Sequence, residues 1–102
     1  MPRNDIKRVG LYKGIPKVKI ISSPRYQRPL LEYDNMLFEQ DETETSFYNA
    51  FVRENHKKPS ERELDQYIKN NWEEMFEYLA DEGWNLNEEW EDYILYGGEE
   101  PN

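Results

Sequence analysis

The side chains best suited to chemistry in this 102-residue chain are closely spaced carboxylates in its second half. Four of them follow one another within a single segment: Glu73, Glu74, Glu77 and Asp81. Paired carboxylates act as general acid and base in glycoside hydrolysis, and clustered ones bind divalent cations. Catalytic carboxylates usually lie in an apolar cleft that shifts their pKa values. On a helix of about 100° per residue these four fall opposite the apolar stripe of their segment, so we expect them to be hydrated and not catalytic.

Other catalytic chemistries have little support in the residue types. The chain has one histidine, His56, and no cysteine, which excludes disulfides, thiolate metal sites and cysteine nucleophiles. We expect His56 to lie at the end of a helix, where a positive imidazole interacts favourably with the helix dipole. No phosphate-binding loop, dinucleotide fingerprint or metalloprotease motif occurs. The sequence therefore predicts a protein that is not an enzyme and needs neither cofactor nor metal.

Charge is strongly separated along the chain. Residues 1–30 hold eight basic residues and one acid, a net charge of +7, whereas residues 31–102 hold five basic and 21 acidic residues, a net charge of −16. No basic residue follows Lys69. Protein surfaces usually intersperse the two signs, so such an excess of acid indicates a recognition surface. A solvated face without a partner is the alternative interpretation.

We predict an acidic partner-binding face on the last two helices, centred on six residues: Glu73, Glu77, Asp81, Glu88, Glu89 and Asp92. Its like charges four residues apart destabilise an isolated helix by a few tenths of a kcal/mol. An arrangement that lowers stability favours the hypothesis that these acids have a function. The expected partner is a protein with a basic surface. Two acidic helices side by side would approach the charge density of duplex DNA, about one charge per 1.7 Å. We expect further contact area from exposed aromatic residues: Tyr67, Tyr78 or Trp90.

In composition the chain resembles the small acidic DNA-mimic inhibitors that phages and other mobile elements direct at DNA-handling host enzymes, such as restriction or CRISPR nucleases. No family motif carries this resemblance. It implies an inhibitor whose partner is a nucleic-acid-binding enzyme.

The alternative hypothesis is a nucleic-acid-associated protein that binds through its basic amino-terminal residues: Arg3, Lys7, Arg8, Lys17, Lys19, Arg25 and Arg28. We favour the interpretation that these charges neutralise the acidic helices within the fold or across a homodimer, because opposite fields attract one another first. Direct nucleic-acid binding is therefore not expected at physiological salt. A helix-turn-helix spanning Phe47 to Trp72 is also disfavoured, because its second helix is net acidic and repels phosphates.

The elements that position these residues begin with a hairpin. Val9–Tyr12 and Ile15–Ile21 are predicted strands around a Lys13-Gly14 turn, and Pro16, Lys17 and Lys19 suggest that the second strand lies at an edge. The segment from Leu30 to Phe38 fits a third strand or a short helix equally well.

Helical signals follow. We expect a first helix after Gln40, capped by Asp41 with Glu44 and ended before Pro59. Ser60 and Glu63 form a capping box for a second helix over about 61–82, with Trp72 at the centre of its core stripe: Leu64, Ile68, Trp72, Met75 and Leu79. Gly83 and Trp84 predict a Schellman stop. A third helix starts at Asn85 or Asn87 and ends at Gly97.

These elements predict an α+β fold in which a small amino-terminal hairpin or short sheet packs against about three α-helices. We expect one domain over residues 1–102, with a basic β-rich segment at about 1–30 and an acidic helical segment at about 41–97. No apolar stretch approaches the roughly 20 residues of a membrane span, and no signal peptide is visible. A cytoplasmic protein without membrane contact is the expectation.

Overall fold

A computed structural model describes residues 7–101 as an antiparallel sheet at the amino terminus packed against helices, which confirms the α+β prediction. Four strands in sequential order form the described sheet: β1 (Lys7–Leu11), β2 (Lys19–Ser23), β3 (Tyr26–Tyr33) and β4 (Met36–Glu39). Three α-helices follow in the described chain: α1 (Gln40–Asn55), α2 (Glu61–Asp81) and α3 (Glu88–Tyr96).

The predicted hairpin is present as β1 and β2, but its connection is longer than the predicted Lys13-Gly14 turn. A 3₁₀ turn at Tyr12–Gly14 is followed by residues 15–18 without strand pairing, so the second strand begins at Lys19 and not at Ile15. Lys13 and Gly14 adopt positive φ angles of 51° and 75°, which reverses the chain there. The prediction that the second strand lies at an edge is wrong. β2 lies between β1 and β3, because the segment after Pro24 returns as a strand and pairs with it, with Ile20 opposite Leu31.

The segment Leu30–Phe38, which fitted a strand or a short helix equally well, forms strands on both sides of a turn. Leu30 to Tyr33 belong to β3 and Met36 to Phe38 to β4. Asp34 and Asn35 join the strands with φ angles of 52° and 63°, and two positive φ values in a two-residue loop suit the right-handed twist of a hairpin. Asp and Asn tolerate this backbone conformation better than most residues.

The helices cover both faces of the sheet. Adjacent strand residues point to opposite faces, and Leu31 and Leu30 accordingly lie in different hydrophobic clusters. The helix-pair core joins one sheet face to α1 and α2 and contains Tyr12, Ile15, Val18, Leu31, Tyr33, Phe38, Phe47, Ile68, Phe76 and Leu79. The α3 core lies on the other face and contains Ile21, Leu30, Leu37, Ile94 and Leu95. The sheet is therefore the middle of three layers.

Phe76 is the residue of α2 around which the helix-pair core is built. It is fully buried and its ring lies 5.1 Å from that of Tyr33, 5.2 Å from that of Phe38 and 6.3 Å from that of Phe47. Trp72, which the sequence placed at the centre, is only partly buried and meets Tyr33 edge-on at 6.0 Å. The helix is rotated so that Phe76, one turn later, points into the sheet.

Most helix ends match their sequence signals. The Glu63 amide donates to the Ser60 hydroxyl at 3.1 Å and the Ser60 amide to the Glu63 carboxylate at 3.0 Å, so the predicted capping box is confirmed. Asn87 caps α3 by accepting from the Trp90 amide at 2.9 Å. The predicted Asp41 cap of α1 is wrong. β4 runs directly into that helix with Glu39 as its N-cap, which places Asp41 inside the first turn.

The α2–α3 connection covers the outer edge of β4. The Leu86 amide donates to the Leu37 carbonyl at 2.8 Å, and the Leu37 amide donates to the Glu91 carboxylate at 3.0 Å. Unpaired edge groups of this kind invite pairing with another chain. Glu91 and Leu86 close this edge and lead the chain from one face of the sheet to the other.

Candidate functional site

The three predicted site residues of α2 form an exposed row, which we call the α2 acidic patch: Glu73, Glu77 and Asp81. None of them forms a salt bridge with another residue of the range 7–101. Glu77 has a second contact, because its carboxylate accepts a hydrogen bond from the Tyr33 hydroxyl at 2.8 Å. Glu73 and Asp81 are therefore the members free to meet a partner without giving up a bond inside the fold.

The three predicted site residues of α3 are also exposed, and we call them the α3 acidic patch: Glu88, Glu89 and Asp92. They too have no salt-bridge partner in the described part of the chain. The expectation of two acidic helices side by side is wrong. α2 packs on one face of the sheet and α3 on the other, because the connection after Gly83 passes around the β4 edge. The two patches are therefore separate rows.

Basic residues of the amino-terminal segment are largely engaged in the sheet. Arg8 contacts Glu32 through two hydrogen bonds of 3.0 and 3.3 Å, and Arg28 contacts Glu39 at 2.9 Å. The hydrogen bond of each pair raises the pKa of its arginine. Arg28 and Glu39 lie on the neighbouring strands β3 and β4, a common mode of sheet stabilisation, whereas Arg8 of β1 reaches over β2 to Glu32 of β3. Their partners are thus acids of the sheet and not the acidic helices that the sequence suggested.

Two further basic residues do meet the helices. Lys13 pairs with Asp65 of α2 at 2.6 Å. Arg25 donates to the Tyr93 carbonyl at 2.8 Å and lies 5.2 Å from the Tyr93 ring centre, so it occupies the negative end of α3. These contacts agree with charge neutralisation inside the fold.

The remaining members of the basic set are lysines, apart from Arg3, which lies outside the described residues. Lys7, Lys17 and Lys19 are exposed and make no salt bridge within residues 7–101. Lys17 lies in the turn before β2, and Lys7 and Lys19 lie on the paired strands β1 and β2. Lys7 and Lys19 lie at opposite ends of the β1–β2 ladder, so the exposed members of this basic set without a salt-bridge partner are dispersed.

Tyrosine hydroxyls hold several of the carboxylates. Tyr12 donates to Glu44 at 2.6 Å and Tyr67 to Glu54 at 3.0 Å, while Tyr26 donates a short hydrogen bond to Glu39. Burial, aided by the bond to Glu39, raises the pKa of Tyr26 to about 12. The bonds that Glu39 accepts from Tyr26 and Arg28 lower the pKa of its own carboxyl group.

Two more of these tyrosines have raised pKa values. The hydrogen bond to Glu77, with burial, raises the pKa of Tyr33 to about 12, and burial together with the bond to Glu54 raises that of Tyr67 to about 12. Burial also raises the pKa of Tyr12. These groups link the sheet to the helices and one helix to the other.

The exposed aromatic residues differ in part from those predicted. Tyr78 is exposed as expected, at 57%, but Tyr67 and Trp90 are partly buried against the helix-pair core and the α3 core. Trp84 is 51% exposed, although its backbone makes the predicted Schellman bonds, from the Trp84 amide to the Leu79 carbonyl and from Gly83 to Ala80. The motif fixes the backbone of Trp84 while its indole remains accessible.

A groove of about 440 Å³ runs between α1 and α2 on the side away from the sheet, and the sequence reasoning did not identify it. Its lining is Ser46, Asn49, Ala50, Arg53, Glu54, Tyr67, Asn71, Glu74, Met75, Tyr78 and Trp84. The available signal was a second stripe on α2 through Tyr67, Asn71, Glu74 and Tyr78, which adjoins the predicted core stripe at Met75. We call this feature the α1/α2 groove.

No set of three histidine or acidic side chains within residues 7–101 is arranged to hold a metal ion. His56 terminates α1, as predicted, with a left-handed backbone and its amide bonded to the Val52 carbonyl at 2.8 Å. Its side chain is exposed.

Comparisons with protein-family models, with curated proteins and with solved structures each returned no match to this chain. None of the described helices has the length and apolar character needed to cross a membrane.

Proposed function

We propose that this protein is a non-enzymatic interaction protein whose α2 acidic patch binds a basic surface on a partner protein. The observation that carries the proposal is that all six predicted acids are exposed and form no salt bridge within residues 7–101. In the predicted basic set, by contrast, Arg8, Arg25 and Arg28 are engaged with acids or a helix end, and only Lys7, Lys17 and Lys19 are exposed without a salt bridge in that range.

The α2 acidic patch is a better candidate than the α3 acidic patch. Asp81 lies about 60° around α2 from Tyr78, which lines the α1/α2 groove, and Glu73 continues the same row of carboxylates two turns earlier. Protein interfaces are enriched in aromatic residues near their centre, with charges around them. The α3 acidic patch lies on the other face of the sheet, so one flat partner surface would not contact both patches.

DNA mimicry is the sharper form of this proposal, with a phage or mobile-element inhibitor of a nucleic-acid-binding host enzyme as its biological setting. Carboxylates four residues apart on α2 repeat every 6 Å or so, against about 1.7 Å per charge along a duplex. Because α2 and α3 lie on opposite faces of the sheet, a partner would meet the carboxylates of only one helix. The geometry therefore supports a general basic protein surface more strongly than a DNA-binding cleft.

Binding of nucleic acid through the amino-terminal basic residues is the second candidate that the sequence raised. Arg8 and Arg28 would have to leave Glu32 and Glu39, and Arg25 would have to leave the end of α3. Lys7, Lys17 and Lys19 alone offer few phosphate contacts. Such binding would be weak and would fall steeply as salt rises.

A capture experiment with a matched charge control tests the proposal. Immobilised wild-type protein is compared with E73K/D81K, which spares the Tyr33–Glu77 bond, and with E99K/E100K, which changes the net charge equally at the carboxyl terminus. We expect a basic protein to be retained by wild type and by E99K/E100K and lost by E73K/D81K. Retention by all three would refute the role of the α2 acidic patch. Adding duplex DNA as a competitor shows whether the captured surface is a DNA-binding one.

A further inference from the structure

The α1/α2 groove is built from two parallel stripes on antiparallel neighbours. α1 contributes Ser46, Asn49, Ala50 and Arg53, spaced three and four residues apart, and α2 contributes a stripe of the same kind. α1 has 16 residues and α2 has 21, so each is more than 20 Å long at about 1.5 Å per residue. A groove between two such helices has the shape that accepts a third helix.

One end of the groove carries two accessible aromatic side chains. Tyr78 and Trp84 are 57% and 51% exposed, and both line the groove beside Met75. The Schellman bonds hold the Trp84 backbone, so its indole is presented from a fixed position. Exposed tryptophan and tyrosine on a rigid backbone are favoured as interface anchors, because they bury large areas at small entropic cost.

Charge at this end of the groove is negative. Glu74 lines it, Glu82 precedes the Gly83 stop, and Glu42 lies one helical turn before Ser46 on α1. Arg53 is the one basic residue among the described lining residues, and it lies toward the other end, with Tyr67 and the carboxyl end of α1. The carboxylates at this end of the groove would therefore attract the lysines or arginines of a partner segment that binds beside Tyr78 and Trp84.

We infer that the α1/α2 groove binds a basic amphipathic helix of the partner. A bulky apolar residue of that helix lies between Tyr78 and Trp84, and its cationic residues lie over Glu74, Glu82 and Glu42. This inference rests on the proposed function and adds the kind of segment that is recognised. A second copy of this chain does not fit, because its α2 and α3 are acidic. Nucleic acid is repelled by the same charges.

Titration with three synthetic peptides tests the inference. The first is an amphipathic helix of leucine and lysine, the second has the same composition scrambled so that leucine surrounds the helix, and the third has glutamate in place of lysine. We expect the first peptide to bind at physiological ionic strength, at least tenfold more tightly than the scrambled one, and the third not to bind. In ¹⁵N–¹H spectra, the Trp84 indole signal should shift more than those of Trp72 and Trp90.

Two substitutions of exposed aromatic residues serve as the test variant and its matched control. Trp84→Ala should weaken binding of the first peptide at least tenfold, whereas Tyr96→Ala, which removes a 70% exposed side chain from α3, should leave it unchanged. Thermal unfolding of both variants checks that the fold is retained. Equal binding of the first two peptides, no binding of the first, or unchanged affinity in Trp84→Ala would overturn the inference. If E73K/D81K loses a captured partner that Trp84→Ala retains, the groove inference fails while the proposed function stands.

Discussion

The Tyr33 hydroxyl, at the end of β3, donates a 2.8 Å hydrogen bond to the carboxylate of Glu77 on α2. Glu77 is exposed and belongs to the α2 acidic patch, yet it also attaches this helix to the sheet. The two roles compete, since a partner cation drawn to Glu77 would share its carboxylate with Tyr33. The binding capacity of α2 is therefore concentrated on Glu73 and Asp81, on either side of this bond.

Tyr33→Phe removes this bond and keeps the ring in the helix-pair core. We expect the free energy of unfolding to fall by about 1 kcal/mol, the usual net contribution of one hydrogen bond. Glu73→Gln, one turn away on α2, makes no such bond and should leave stability unchanged. Urea denaturation of the two variants measures the difference, and equal stability would show that the bond does not hold α2.

Phe76→Ala should be the most damaging substitution on α2. It removes a fully buried ring that contacts Tyr33, Phe38 and Phe47, and we expect a loss of about 3–5 kcal/mol. Trp72→Ala should cost less, because Trp72 is only partly buried. Denaturation midpoints of the two variants measure the difference, and a larger loss of stability in Trp72→Ala than in Phe76→Ala would contradict the central position of Phe76 in the helix-pair core.

The tyrosine–glutamate pairs predict a loss of stability in alkali. The folded-state pKa values of Tyr26, Tyr33 and Tyr67 are about 12, above the ordinary value of 10.0. A raised pKa means that folding favours the neutral hydroxyl. This stabilisation is complete below pH 10 and is lost as pH rises from 10 to 12.

Tyrosinate absorbance measures this dependence directly. Of the eight tyrosines, three should titrate near pH 12 in the folded protein and near pH 10 in urea. The free energy of unfolding should decline over the same interval. A folded protein in which all tyrosines titrate together near pH 10 would be inconsistent with these bonds.

Glu91→Ala tests the closure of the β4 edge. The substitution leaves the Leu37 amide without its carboxylate acceptor, and an unsatisfied buried donor costs about 1–3 kcal/mol. It also uncovers an edge that favours association between chains. We expect lower stability and concentration-dependent association by light scattering. Glu88→Ala, an exposed acid in the same helix, is the control and should show neither effect.

Local signals in the sequence were sufficient for the helices. The capping box at Ser60, the Asn87 cap and the Gly83 stop are contained in a few neighbouring residues, and each satisfies backbone groups in place. The type of each helix therefore followed from short stretches of sequence, whereas the strands formed by Leu30–Phe38 could not be distinguished from a helix. The edge position of β2 was predicted wrongly because it depends on whether a later segment pairs with it.

The arrangement of charge depends on that same pairing. Arg8 meets Glu32 and Arg28 meets Glu39 only because the strand register brings them together. The sequence therefore did not show that these two arginines are engaged within the sheet and not available to nucleic acid. The position of α3 on the far face follows from the bonds of Leu37 to Leu86 in the α2–α3 connection and to Glu91 in α3 itself. The exposure of Trp84 was missed because a Schellman motif fixes the backbone and leaves the direction of the indole open.

The role of the α2 acidic patch is tested by the affinity of the captured partner for wild type and for E73K/D81K, measured at low and at physiological ionic strength. We expect the double reversal to bind at least tenfold more weakly, with slower association and a smaller dependence on salt, because like charges then face one another across the interface. E99K/E100K should bind as wild type does. Equal affinities of wild type and E73K/D81K, with both folded, would mean that the α2 acidic patch is a solvated face without a partner.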